Sequence, residues 1–203
     1  MERQLRSVKV KRDTKETNVE VELCLDADAT GSSELISTGL PFFDHMLSQL
    51  SKHGGFSLRL YVKGDLHVDA HHSVEDAGLA LGEAFLKALS NKQGIRRFSS
   101  IAVPLDEASV EAALDISGRP YLHYELNMPP DLPPLGDPPF DPQLAEEFWR
   151  AFTTKAGISL HLQRVRGRNV HHVLEASFKA VARALHDAVR IENSSIPSTK
   201  GKL

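Results

Sequence analysis

HHSVE at residues 71–75 and HHVLE at residues 171–175 are the same pattern, one hundred positions apart. The flanks repeat with it. Gly55-Phe56-Ser57-Leu58-Arg59-Leu60 precedes the first copy and Gly157-Ile158-Ser159-Leu160-His161-Leu162 precedes the second. Each then runs through a basic or polar stretch with one glycine (Gly64, Gly167) to its histidine pair. Behind the pairs, EDAGLALGEAFLKAL and EASFKAVARALHDAV carry apolar residues at three- and four-residue intervals, the signature of amphipathic helices. Farther upstream, Glu16-Thr17-Asn18-Val19 resembles Glu107-Ala108-Ser109-Val110, and each opens a strand-like run. In the first run Val19, Val21, Leu23 and Leu25 alternate with polar residues, the period of a half-buried strand.

The chain therefore reads as an α/β domain made by internal duplication. Its two units, residues 1–92 and 93–203, each run strands–helix–strand–helix, with PFFDHMLSQLSKH and PQLAEEFWRAFTTKA as the first helices. Two such units suit one pseudo-symmetric domain, since an open stack needs about three. Between them, MPPDLPPLGDPPFDP holds seven of the eleven prolines and is expected to be a loop, because proline lacks the donor a central strand needs. The closing ENSSIPSTKGKL has no periodicity and is expected to be flexible unless a ligand or a neighbouring subunit orders it.

A net charge of −3 gives no reason to expect nucleic acid or a membrane surface as partner. Local basic clusters, Arg96–Arg97 and Arg164–Arg166–Arg168, leave room for an anionic small molecule. A single cysteine, Cys24, allows no intrachain disulfide and fits the reducing cytoplasm. No apolar run approaches the roughly 18 residues of a membrane span, and the charged N-terminus does not read as a signal peptide.

On a helix, residues four apart share a face, so His71 with Glu75, and His171 with Glu175, can each grip one cation. The second histidine of each pair, His72 or His172, points about 100° away and can reach a different ion. Two pseudo-symmetric copies then hold two ions, each ion taking His and Glu from one copy and the remaining His from the other. A mixed imidazole and carboxylate set suits Mn, Fe or Zn, with carboxylates leaning toward Mn. This symmetry leaves open whether the copies meet within one chain or between chains. The competing reading, a solvated helix start, is common for a single HHxxE and loses ground when the pattern recurs inside a longer repeat. His67, His123, His161 and His186 stand alone and read as surface or satisfied polar groups; Glu83 and Lys87 read as a solvated helix pair.

PFFDHMLSQLSKHGGF, DLHVDAHHSVEDAGLALG, PLDEA, DISGRPYL, HHVLEASFKAVARAL and IPSTKG resemble the imidazoleglycerol-phosphate dehydratase family, from about Lys11 to Gly201. The resemblance implies two similar halves, each with a four-stranded sheet and paired helices, and two Mn²⁺ ions per active site. It also implies a homo-oligomer, an octahedral assembly of roughly 24 subunits with shared metal sites. By the family pattern one ion takes His45, His72, His171 and Glu175, and the other takes His71, Glu75, His172 and residue 147. Many members have histidine at that last position, where this chain has Glu147; glutamate is a competent oxygen ligand for Mn²⁺. The same matching assigns Glu16, Gln49, His53, Arg97, Arg119, Lys179, Ser198, Thr199 and Lys200 to the phosphate-bearing substrate. Arginine forks match phosphate oxygens, which gives the cations among them an independent rationale.

The implied reaction dehydrates imidazole glycerol phosphate to imidazole acetol phosphate in histidine biosynthesis. Its C–H bond has no adjacent carbonyl, so the ring itself must serve as electron sink, as a metal-bound imidazolate. Glu16 is the first acid/base candidate and a metal-bound water the second. A two-metal hydrolase of a phosphate or amide is the alternative; it needs a bridging ligand between ions about 4 Å apart, which HHxxE does not obviously supply. A metal-storage module is a third reading, opposed by the phosphate-binding cations.

Overall fold

A computed structural model describes residues 5–26, 35–129, 131–201 and 203. In the first half β1 (Ser7–Asp13), β2 (Thr17–Cys24), β3 (Leu35–Ser37), α1 (Pro41–Gly54), β4 (Ser57–Gly64) and α2 (His71–Leu89) follow one another. The second half repeats that order as β5 (Phe98–Leu105), β6 (Ala108–Asp115), β7 (Tyr121–Glu125), α3 (Leu144–Ala156), β8 (Ser159–Arg166) and α4 (Val170–Ala188). The two sheets share one topology, β1-β2-β4-β3 and β5-β6-β8-β7. In each, the first three pair antiparallel and the third strand of the half joins in parallel. The α/β duplication read from the sequence is the architecture observed.

Alternation sets the strands. Val19, Val21 and Leu23 of β2 and Leu58, Leu60 and Val62 of β4 are buried, while their neighbours face outward. That inner face lies on α2, which also meets α3 of the other half; α4 covers β5 and β6 and meets α1. Helices thus pair across the duplication, and the apolar faces of both halves merge in one core. The α2–α3 contact is close because α2 carries Gly78 and Gly82 where it crosses α3: a Cβ on Gly78 would stand 2.7 Å from the Phe148 carbonyl oxygen, and one on Gly82 2.5 Å from that of Phe152.

Helix ends follow local chemistry. Pro41 opens α1, where its missing donor costs nothing, and Asp44 in the first turn accepts from Thr38 N (2.8 Å) and Oγ1 (2.6 Å). The helix ends at Gly55 in the left-handed region, as α3 ends at Gly157. α3 begins at Leu144, two residues past Pro142, with Asp141 and Pro142 carbonyls taking the preceding turn. The proline-rich loop is a loop as expected, yet it is anchored: Phe140 is fully buried and stacks near Phe43 (5.7 Å between centroids).

The C-terminal segment differs from expectation. It is tied back to the α2–β5 loop by Gly94 N to Ser195 O (2.7 Å), Gln93 Nε2 to Ser194 O (2.6 Å) and an Ile95–Ile191 bridge. Backbone pairing needs no side-chain periodicity, so no sequence pattern announces it.

Candidate active site

The crossing of α1 and α4 builds the first cluster. On α1, Phe42, Phe43, Met46, Leu47 and Leu50 are buried, which leaves His45, Gln49 and His53 as a stripe at four-residue spacing along the edge of the core. On α4, the buried face turns His171 and Glu175 toward that stripe. His45 Nε2 and His171 Nε2 both approach Glu175 Oε2, at 3.1 and 3.0 Å. The three ligating atoms lie within 4.8 Å of one another. Phe42 meets the His171 ring edge-on at 5.3 Å and restricts its orientation. Lys179 Nζ holds the other oxygen, Oε1, at 2.6 Å. Burial opposes the charge on Glu175, whose side chain is 12 % exposed; the bonds from Lys179, His45 and His171 outweigh it and hold the carboxyl at about 2. A chain of bonds extends outward, His53 Nε2 to Gln49 Oε1 (3.1 Å) and Gln49 Nε2 to His45 Nδ1 (3.4 Å). Burial, reinforced by Lys179, lowers the His53 pKa.

The second cluster is looser. His71 Nε2 stands 4.0 Å from Glu75 Oε2 on the first turns of α2. His71 and Glu147 line the same cleft of about 620 Å³, between the start of α2, the proline-rich loop and α3. Glu147 lies ten residues before Gly157, and His45 ten residues before Gly55, so the two helix caps make them pseudo-symmetric mates.

His72 and His172 turn elsewhere. The rings within each pair are nearly perpendicular, 87° for His71–His72 and 82° for His171–His172. His72 Nδ1 donates to the Asp65 carboxylate (3.0 Å), with Glu16 at 3.9 Å. His172 Nδ1 donates to Glu107 (2.7 Å). These carboxylates raise both histidine pKa values, and the bond from His172 brings Glu107 down to about 2. Among the described residues neither ring joins the His45–His171–Glu175 group.

Arg97 lies in a third group. Its guanidinium is forked to Asp115 (2.7 and 3.1 Å), and its NH1 reaches Pro197 O (2.7 Å), which ties the segment carrying Ser198, Thr199 and Lys200 to Arg97. Ser198 Oγ accepts from Lys200 N (3.2 Å). Arg119 sits in the turn after β6, its backbone N bonded to Ser117 Oγ (3.1 Å) and its own side chain exposed. Among the described residues no hydrogen bond or ion pair joins this group to the Glu175 cluster. Sequence reading missed Asp65, Glu107 and Asp115. Glu107 was legible in principle, through its alignment with Glu16 in the repeat.

A duplicated α/β fold with a histidine–carboxylate group where its halves cross has the donor set of a divalent-metal centre. The family model described as imidazoleglycerol-phosphate dehydratase matches residues 38–185. The chain is 51 % identical over 201 residues to the imidazoleglycerol-phosphate dehydratase of Caldanaerobacter subterraneus, covering 98 % of this chain and all of that one. Against that of Acidothermus cellulolyticus it is 52 % identical over 200 residues, 98 % of this chain and 93 % of the relative. Among solved structures, the Staphylococcus aureus enzyme superposes with a TM-score of 0.76 at 33 % identity, covering 91 % of this chain and 99 % of that one. The Pyrococcus furiosus enzyme gives 0.79 at 32 % identity, covering 95 % and 99 %. This chain belongs to the imidazoleglycerol-phosphate dehydratase family and is a hydro-lyase. No helix among the described residues is long and apolar enough to cross a membrane.

Proposed function

We propose that the chain removes water from imidazole glycerol phosphate to give imidazole acetol phosphate, a cytoplasmic step of histidine biosynthesis, with two Mn²⁺ ions per active site. The convergence of His45, His171 and Glu175 carries this reading: two imidazole nitrogens aimed at one oxygen of a mostly buried carboxylate. That donor set fits a divalent transition metal. His71, Glu75 and Glu147 supply the second set. His72 and His172, turned away from both, would complete the sites of a second copy of the chain, so the working form is a symmetric homo-oligomer, roughly 24 subunits in an octahedral arrangement. When bound, the ions supply Lewis-acid charge that stabilises negative charge on the substrate ring.

The protein's own groups do the rest. Arg97, Arg119, Ser198 and Lys200 clamp the phosphate, with Lys179 as a further cation, and fix the orientation of the glycerol chain. Gln49 and His53 extend the His45 bond chain toward the substrate. Once the ring has given up its N–H proton it expels the neighbouring side-chain hydroxyl, which leaves with that proton as water. Glu16, an exposed carboxylate beside the first histidine pair, then accepts the C–H proton of the side chain at its carboxylate oxygen, and the ring nitrogen is reprotonated as the enol forms. The enol released tautomerises to the ketone without further help.

The test is to give purified, Mn-loaded protein imidazole glycerol phosphate and follow the enolisable ketone. Turnover that EDTA abolishes and Mn²⁺ restores is expected. Release of inorganic phosphate without ketone would replace dehydration by hydrolysis.

A further inference from the structure

The duplication extends to the turns that face the second histidine of each pair, and there the halves part. Gly64 and Gly167 are equivalent by what surrounds them. A Cβ on Gly64 would meet Thr17 Cγ2 (3.3 Å) and the Ser73 side chain; one on Gly167 would meet Ala108 Cβ (2.7 Å) and Val173 Cγ2 (3.0 Å). Thr17 and Ala108 each follow the turn glutamate, Glu16 and Glu107, and Ser73 and Val173 each stand two residues after the first histidine of a pair. Asp65 of the first half therefore corresponds to Arg168 of the second, whose side chain has no acceptor to offer.

The bonding follows that difference. In the second half Glu107 is fully committed: its Oε2 takes His172 Nδ1–H at 2.7 Å and its Oε1 takes the backbone N–H of Asn169 (2.9 Å) and Arg168 (3.3 Å). In the first half Asp65 takes His72 Nδ1–H with both oxygens (3.0 and 3.3 Å), and Glu16 stays 3.9 Å away. A carboxylate can only accept, so each Nδ1 carries a proton, which in the neutral ring leaves the Nε2 lone pair for a metal ion. The exposed Asp106 stands 3.8 Å from His172 Nε2, beyond hydrogen-bond reach.

We propose that Asp65 and Glu107 are positioning residues that fix the tautomer and aim of His72 and His172, and that Asp65, by doing so, releases Glu16 for substrate. This rests on the metal-dependent reading above and extends it to the groups behind two of the ligands. The experiment is Mn²⁺ calorimetry on metal-free wild type, Asp65→Asn and Glu107→Gln, with kcat and KM at limiting and saturating Mn²⁺, on variants whose circular dichroism and melting match wild type. Each substitution weakens Mn²⁺ binding about 10–100-fold. The double variant Glu107→Gln/His172→Gln binds no worse than His172→Gln alone, a coupling that a general loss of stability would not produce. Saturating Mn²⁺ restores kcat in Glu107→Gln but not in Asp65→Asn, where Glu16 is drawn onto His72. Wild-type affinity in both single variants, or strictly additive losses in the double, would overturn the positioning role. Full recovery of Asp65→Asn at saturating Mn²⁺ would overturn the release of Glu16. A wild-type protein that neither binds Mn²⁺ nor turns over would overturn the functional reading itself, and this inference with it.

Discussion

Glu175 is engaged on both oxygens, with two imidazoles on one and an ammonium on the other. Its carboxyl titrates near 2 in the folded metal-free chain, against an ordinary value of 4.5. A depressed carboxyl stabilises the fold above its unfolded pKa and loses that contribution as pH falls toward the folded value. The denaturation midpoint of metal-free protein should therefore drop between about pH 4.5 and 2, and more steeply in wild type than in Glu175→Gln. Parallel pH curves for the two proteins would refute it. Position 147 offers a second test. Glu147 shares the cleft of His71 and mirrors His45, so Glu147→His should keep Mn²⁺ binding and activity, whereas Glu147→Ala should weaken the metal. Equal affinity in Glu147→Ala and wild type would exclude it as a ligand.

Among the elements, α2 bears two duties: its first two turns present His71, His72 and Glu75, and its middle lies against α3. Gly78 and Gly82 make that approach possible, and the atoms a side chain would strike are backbone carbonyls, which cannot swing aside. Gly82→Val should destabilise the fold by about 1–3 kcal/mol through overpacking, read as a shift in urea midpoint. It should also lower Mn²⁺ affinity, because the N-terminal turn of α2 shifts relative to Glu147 on α3. A variant as stable as wild type would show that the α2–α3 spacing is slack.

For the whole molecule, the arrangement of ligands makes a statement about assembly. If His72 of one copy completes the His45–His171–Glu175 cluster of another, two different defects can compensate. His72→Ala and Glu175→Ala, each inactive alone, should regain activity when unfolded together and reassembled, because a site combining the intact cluster of one chain with His72 of the other is whole. Mixed assemblies as inactive as either parent would confine each site to a single chain.

Much of the protein is legible as text because its governing interactions are local or repeated. The two-residue alternation of β2, the three- and four-residue spacing of α2 and α4, and the shared face of His171 and Glu175 depend on backbone geometry within a few residues. The recurrence of HHxxE announced the duplication, and the family motifs carried the chemistry. Tertiary structure decided what those local rules leave free. Whether His45 meets Glu175, 130 residues away, depends on which apolar helix faces bury one another once the loops have closed. So does the choice of Asp65 for His72, because a lone carboxylate in a turn carries no periodic signal, and the bond from His172 to Glu107, whose repeat mate Glu16 makes no such bond. The tail was the plainest gap: its hold on Gly94 runs through backbone groups that every residue possesses. Local pattern determined the elements and the donor types; long-range burial determined which donors share a centre.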